Sequence, residues 1–342
     1  MSSQKTFIKC LAHYHPLGVI SNTQFEKSLD TSSEWIVDRT GIKERRFLND
    51  YDGNFPGFEL ARRALEKLKD DFTYDFRNIG LIISAATHDD IHYPNPGNLI
   101  SEQLKIDVPV FQIKVACSSV AYAIHLAKAL LPGLSGKDVL IVNGEAFTKH
   151  VDYGDRSSCI LFGDAGSAMI VSNQGGLFEV VDNEIGGKGL QIVQANRVST
   201  TSHLSATDII SGELSHKQPR HNRRKDSEKK FQQDGKKVVE FVLTQIPEKV
   251  KNILISNKMT LSSLDFFICH QSNLNMMQQL LNLLEIPSSK HFYNVDRFGN
   301  TGSAGWITVL SEHQKNISSG SIGVIPVFGA GMTWSVLLLK RC

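Results

Sequence analysis

The sequence predicts an α/β protein made of two similar halves, on three observations. Short β-branched runs alternate with helix-period segments, the pattern of buried, mostly parallel strands joined by helices. The chain also echoes itself, because 160–171 (ILFGDAGSAMIV) and 324–338 (VIPVFGAGMTWSVLL) each read as two buried strands about a Phe-Gly turn. Its 342 residues are enough for two domains or one large duplicated unit.

In chain order, apolar residues three and four apart mark a helix at 57–69, and the run IGLIISA marks a strand at 79–85. VFQIKV gives a strand at 110–115, followed by a helix at 118–131 whose Val120, Ala121, Ile124, Ala127 and Leu131 form one face. VLIVN gives a strand at 139–143, a helix follows at 236–252, and LDFFIC gives a strand at 264–269. Helices at 274–284 and 303–315 and a strand at 323–328 complete the set. The charge-free run 316–339 is divided by Gly323, Pro326, Gly329 and Gly331 into two short apolar pieces. It reads as strand, turn, strand, and no membrane segment is expected.

Hydrophobic residues make up 41% and charged residues 21%, which excludes a fibrous or largely disordered chain. The formal charge of +2 is far from the basic bias that binding a phosphate backbone requires, so no nucleic-acid partner is expected. Five cysteines with no close pairing indicate neither a disulfide framework nor a metal motif and fit a reducing compartment. The first residues lack the apolar core of a secretory signal, and a cytoplasmic location is expected. The run 216–230 (HKQPRHNRRKDSEKK) holds seven Lys/Arg, two Asp/Glu and no aliphatic residue. By default it is a solvated loop; the alternatives are a landing patch for an acidic carrier or a cover over an entrance.

Three residues stand where chemistry is concentrated in such folds. Cys117 lies between a strand and a helix, where free N–H groups and the helix dipole favour thiolate, the nucleophilic form. Cys159 and Cys269 fall inside apolar runs expected to be strands and read as inert core residues. His270 directly follows a strand, on the carboxyl edge where sites of open α/β sheets gather. Asn300 occupies a small-residue turn entering a helix. Each alone has an ordinary structural reading, whereas a Cys, a His and an Asn all at turns into helices form a combination that chance produces less readily. His88 and His92 in HDDIH have metal-ligand types at helix-like spacing. Pro94 and Pro96 follow at once and no third ligand cluster is evident, so a polar loop is the expected reading and no metal is assigned.

Six motifs in order carry a resemblance: 31–42 (TSSEWIVDRTGI), 115–119 (VACSS), 155–164 (DRSSCILFGD), 270–273 (HQSN), 299–301 (GNT) and 328–331 (FGAG). The sequence resembles the thiolase-fold condensing enzymes, and within them β-ketoacyl-acyl carrier protein synthase III. Only the region from about residue 186 to 234 lacks a clear match. The resemblance implies a thiolase-like duplicated five-layer αβαβα fold, with an N-terminal half over 1–180 carrying the nucleophilic Cys and a C-terminal half over 181–342 carrying His and Asn. It implies an acyltransferase in which Cys117 takes an acyl group from acyl-CoA and condenses it, with loss of CO2, onto a malonyl-acyl carrier protein or related extender. His270 and Asn300 would donate hydrogen bonds to the extender carbonyl, and the backbone N–H groups of Cys117 and Ala330 would form an oxyanion hole. The family usually has Gly at the position of Ala330.

By the same matching, Trp35 and Arg156 would sandwich the adenine of coenzyme A with Arg39 nearby, Asn273 would position His270 or a water, and Tyr93 would reach the acyl pocket of a homodimeric partner. No cofactor is implied beyond the coenzyme A thioester itself. Asn275 stands where relatives carry a basic residue that helps dock the carrier. Two further readings stay open: an enzyme of specialised metabolism that joins two acyl units or offloads a chain, of resorcinol, quinolone or ester type, and a non-catalytic partner in a heteromeric synthase. A thiolase would need a second reactive cysteine, for which Cys342 is poorly placed. A general-base Glu, as in HMG-CoA synthases, has only Glu145 as candidate, and that residue reads as structural.

Overall fold

The computed structural model describes residues 4–88, 91, 93–195, 206–211 and 231–342. The basic run 216–230 lies outside the described residues, as do Asp89, Asp90 and His92 of the 88–92 motif. Among the described residues nine strands form the main sheet: β1 (Phe7–Tyr14), β2 (Ile79–Ala85), β3 (Val110–Ile113), β4 (Asp138–Glu145), β5 (Ala165–Ser172), β6 (Phe178–Leu190), β7 (Phe266–Phe267), β8 (Ile322–Gly329) and β9 (Gly331–Arg341). The principal helices are α1 (Ser33–Thr40), α2 (Pro56–Asp71), α3 (Ser119–Leu130), α4 (Gly235–Ser256), α5 (Leu274–Leu283) and α6 (Gly305–His313).

The strand order is β7-β8-β9-β6-β1-β5-β4-β2-β3, and it contains the duplication. From the centre outward, β1-β5-β4-β2 pair antiparallel, antiparallel, parallel. In the other direction, β6-β9-β8-β7 repeat antiparallel, antiparallel, parallel. The two series meet through only two residue pairs, Phe7 with Glu179 and Ile8 with Phe178. The change from one series to the other falls between Ser172 and Phe178, so the expected boundary at 180/181 lies inside β6.

Strand alternation turns these two sheet halves into five layers. Along β2 and β4, Leu81, Ile83, Val139 and Ile141 point into a central core, while Ile82, Leu140 and Val142 point into an outer one. Along β8 and β9, Ile325, Val327, Leu337 and Leu339 enter the same central core, while Val324, Val336 and Leu338 face a second outer core. Helices α3 and α6 fill the centre, α2 covers one outside, and α4 with α5 covers the other. The result is the αβαβα order expected from the motifs. The predicted face of α3 is wholly interior, and full burial of Ile124 alone contributes about 1.5–3 kcal/mol.

Helix α2 reaches the sheet backbone because two strand positions have no side chain. A Cβ on Gly144 would stand 1.8 Å from Gly57 O, and one on Gly166 2.0 Å from Leu60 O. Gly144→Ala is therefore expected to destabilise the fold by at least the ~1–3 kcal/mol of core overpacking. An unfolding midpoint in urea equal to that of the parent protein would contradict this packing.

Three sequence expectations need correction. The strands are mixed, since β2–β3, β2–β4 and β7–β8 are the parallel neighbours and the remaining contacts are antiparallel. Strands β8 and β9 are joined through Ala330 alone, a connection too short for a parallel crossover. The echo is partial: 324–338 is a hairpin, but in 160–171 only the second piece is a strand. Residues 160–163 leave the sheet because their backbone bonds to Asn300 instead. Cys159, expected in a strand, closes the short helix Arg156–Cys159, while Cys269 lies just beyond β7. Both are buried, and burial pushes both thiols up.

Candidate active site

Cys117, His270 and Asn300 line one cavity of about 580 Å³ that opens between the two halves. Arg39, Asn273 and Ala330 line it too, with an apolar wall that includes Phe147, Phe162, Phe231, Val238 and Met332.

Cys117 is placed by a tight turn. After β3 the chain turns through Val115 and Ala116, with Ser118 N donating to Val115 O and Ser119 N to Ala116 O, and α3 begins. The sulfur opens on the cavity, yet burial pushes its thiol up to about 12, and the Glu145 charge adds to this. The expected helix-terminus activation is outweighed, because desolvation penalises the thiolate more than one turn of aligned N–H groups favours it. Cys117 is a thiol at rest.

The β8–β9 turn closes over the same point. A Cβ on Gly329 would lie 2.9 Å from Cys117 N, so the two backbones approach as closely as a glycine allows. The left-handed conformations of this turn fall on Gly331 (φ +73°) and Met332 (φ +50°), not on Ala330, so the methyl group at 330 meets no backbone strain.

His270 ends the segment paired to β8. Its N–H donates to Pro326 O at 2.9 Å, continuing the parallel ladder past β7, and its ring stands edge-on to Phe328 at 5.0 Å. Nδ1 is buried with no hydrogen-bond partner, and burial lowers the imidazole to about 4. The ring is therefore neutral at physiological pH.

Asn300 is fixed at its backbone and at one end of its side chain. Asn300 N donates to Leu161 O at 2.8 Å and Gly163 N to Asn300 O at 3.2 Å. Oδ1 accepts from Gly302 N at 2.9 Å. With the oxygen end held, the amide NH2 is the end left for the cavity that Asn300 lines. Residues 160–163 are in turn held by Arg45, whose fully buried guanidinium donates to Ile160 O and to Asn22 Oδ1 at 2.7 Å.

Glu145, at the end of β4, is a latch. Its carboxylate accepts from Thr87 N and Oγ1, Asn143 Nδ2, and Ser303 N and Oγ. Burial raises its pKa against the lowering effect of those donors. It ties the loop after β2 to the turn after Asn300, in keeping with the structural reading.

The outer residues are distributed along α1. Trp35 and Arg39 stand one turn apart on one face; Arg39 lines the cavity, whereas Trp35 lies outside it. The Arg156 guanidinium is 5.1 Å from the Trp35 ring and donates to Asp30 O. A base between them needs two contacts of about 3.5–4.0 Å each, so Arg156 has to swing away to admit one. Tyr93 is 90% exposed and does not line the cavity of its own chain. Asn273 lines the cavity and makes one hydrogen bond at each end of its carboxamide. Oδ1 accepts from Met276 N, capping α5, and Nδ2 donates to Arg39 O. Asn275 likewise donates to Asp38 O at 2.7 Å, so the pair clamps the end of α1 to the start of α5.

Two contributors were assigned no role from the residue pattern, although Ser119 ends the motif 115–119. Ser119 grips the Cys117 turn through its hydroxyl, and Thr87 joins Glu145 from a loop distant in sequence. Among the described residues no group of three or more His, Cys, Asp or Glu could hold a metal, and no helix is long and apolar enough to cross a membrane.

Residues 111–189 match the family model for 3-oxoacyl-[acyl-carrier-protein (ACP)] synthase III, and residues 254–341 match the model for its C-terminal part. The chain is 30% identical to a β-ketoacyl-[acyl-carrier-protein] synthase III of Clostridium tetani, over 99% of both chains. It is 30% identical to one of Porphyra purpurea, over 94% of both. The solved β-ketoacyl-[acyl carrier protein] synthase III of Thermus thermophilus superposes with a TM-score of 0.84 at 27% identity, covering 98% of this chain and 99% of that one.

Proposed function

Because the chain belongs to the β-ketoacyl-[acyl-carrier-protein] synthase III family and is a condensing enzyme of that type, we propose that it moves an acyl group from coenzyme A to Cys117 and then condenses it with a malonyl-carrier extender. The observation that carries this reading is that a cysteine, a neutral histidine and an oriented asparagine share one cavity with an apolar wall.

In the first half-reaction the Cys117 sulfur adds to the thioester carbonyl, its proton leaves for the departing coenzyme A sulfur, and an acyl-Cys117 thioester remains. The backbone N–H groups of Cys117 and Ala330 receive the carbonyl oxygen as it becomes negative. In the second, the malonyl thioester loses CO2, and the enolate formed is held by His270 and the Asn300 amide. Neutral donors suit this task because they stabilise the enolate oxygen without protonating its carbon. The carbon attacks acyl-Cys117, the C–S bond breaks, the β-ketoacyl thioester leaves, and the released Cys117 thiolate takes a proton from solvent. The dry wall excludes the water that would hydrolyse the acyl-enzyme. Trp35, Arg156 and Arg39 are proposed to hold the coenzyme A end, and Tyr93 to complete the pocket of a second copy.

A second reading, the joining of two longer acyl units, is favoured by Asn275, which stands where relatives dock a carrier and is here bonded to Asp38 O. Intact mass spectrometry of the protein with a panel of acyl-CoA, malonyl-carrier and β-ketoacyl-carrier thioesters separates the two. Acyl-CoA is expected to load Cys117 and malonyl-carrier to discharge it. Discharge only by a β-ketoacyl thioester would replace the first reading with the second, and failure of every thioester to load would overturn both.

A further inference from the structure

We propose that Ser119 is a positioning residue that holds the nucleophile turn in its working shape, acting through the backbone of residues 115–117 and not on substrate. The proposal rests on the reading of Cys117 as the acyl acceptor. Ser119 is the first residue of α3 and is fully buried. Its Oγ accepts the N–H of Val115 at 2.8 Å and lies 2.6 Å from Ala116 O and 3.1 Å from Ala86 O. With a single proton to donate, it bonds best to the nearer Ala116 carbonyl. One hydroxyl therefore closes the turn on both sides, accepting from Val115 N and donating to Ala116 O.

The turn needs such an anchor because Ala116 sits at φ +47°, the left-handed region where a Cβ is crowded by the next carbonyl. Free of its anchor, Ala116 would relax toward negative φ and rotate the peptide that carries the Cys117 N–H. That N–H has little room to move unpunished, since the Gly329 backbone is packed directly against it. A small rotation changes the direction of this N–H, which the proposed oxyanion hole needs together with that of Ala330. Ser119 is thus assigned to the acylation step, separately from His270 and Asn300, which face the extender.

The experiment measures the acylation rate of Cys117 by rapid quench and intact mass with acetyl-CoA and hexanoyl-CoA, for the parent protein, Ser119→Ala and Ser119→Ala/Ala116→Gly, with unfolding midpoints recorded alongside. Ser119→Ala is expected to lower the saturating rate roughly 10- to 100-fold with little change in the half-saturating thioester concentration. The added glycine adopts positive φ without steric cost, so the double variant should recover most of that loss. A residue that merely fills space would not be rescued by a change at 116. Parent-like acylation by Ser119→Ala overturns the proposal, and so does a folded double variant that stays slow. If Ser119→Ala does not fold, the double variant decides by the same criterion. Absence of any acyl group on Cys117 of the parent protein would instead overturn the acceptor role itself, and the Ser119 assignment with it.

Discussion

Cys117→Ala is expected to gain no acyl mass from any acyl-CoA and to lose condensation by roughly 10⁶-fold, the scale on which deleting the nucleophile of a covalent enzyme acts. The change removes one sulfur and leaves the walls of the cavity in place, so thioester binding should persist while chemistry stops. The size of the effect follows from the lack of a substitute nucleophile. Burial holds the thiol at about 12, and no other described thiol lines the cavity. Cys10, Cys159 and Cys269 are buried elsewhere in the core, and Cys342 is on the surface. An adduct of normal mass on the variant would remove Cys117 from the mechanism.

His270→Ala and Asn300→Ala are expected to show the opposite division. Each should still load an acyl group on Cys117, because the donors proposed for that step, the N–H groups of Cys117 and Ala330, are main chain. Each should lose ~10²–10³-fold in decarboxylation of the malonyl extender, or about 2.7–4 kcal/mol per donor. The structure accounts for why the donors are this effective. The Asn300 oxygen is bonded to Gly302 N and its backbone is paired to Leu161 and Gly163, so the NH2 end is aimed before substrate arrives. His270 is neutral because its burial opposes the cation. Protonation near pH 4 would add a charge that quenches the enolate, well below the working range. Labelled CO2 release measured on pre-acylated protein checks both variants, and loss of loading in either would move that residue into the first half-reaction. The two losses should not add, because both donors serve one oxygen.

Much of the site was legible in the residue order. The helix at 118–131 and its apolar face, the hairpin within 316–339 and the edge position of His270 all followed from short-range periodicity and turn residues. Such local preferences act whatever the rest of the chain does. The five-layer order followed from six motifs and not from periodicity, since alternation along a strand shows that both faces are buried without showing what buries them. The segment 160–163 was misread as a strand because its apolar residues fit one. Its backbone partners, Asn300 N and O, are more than a hundred residues away. The hydrogen bonds of Asn273 were not legible for the same reason: one goes to Arg39 O, a carbonyl that no local pattern brings near.

The residue types at 117, 270 and 300, the apolar faces of the helices and the glycines that admit α2 were set by the primary structure, because chemical identity and chain stiffness are local properties. Their protonation states, the cavity they share and the hydroxyl that steadies the Cys117 turn were decided only by packing. Desolvation and hydrogen-bond partnership depend on which distant segments close around a group, and a thiol that a helix terminus would ionise in water stays protonated once those segments have excluded it.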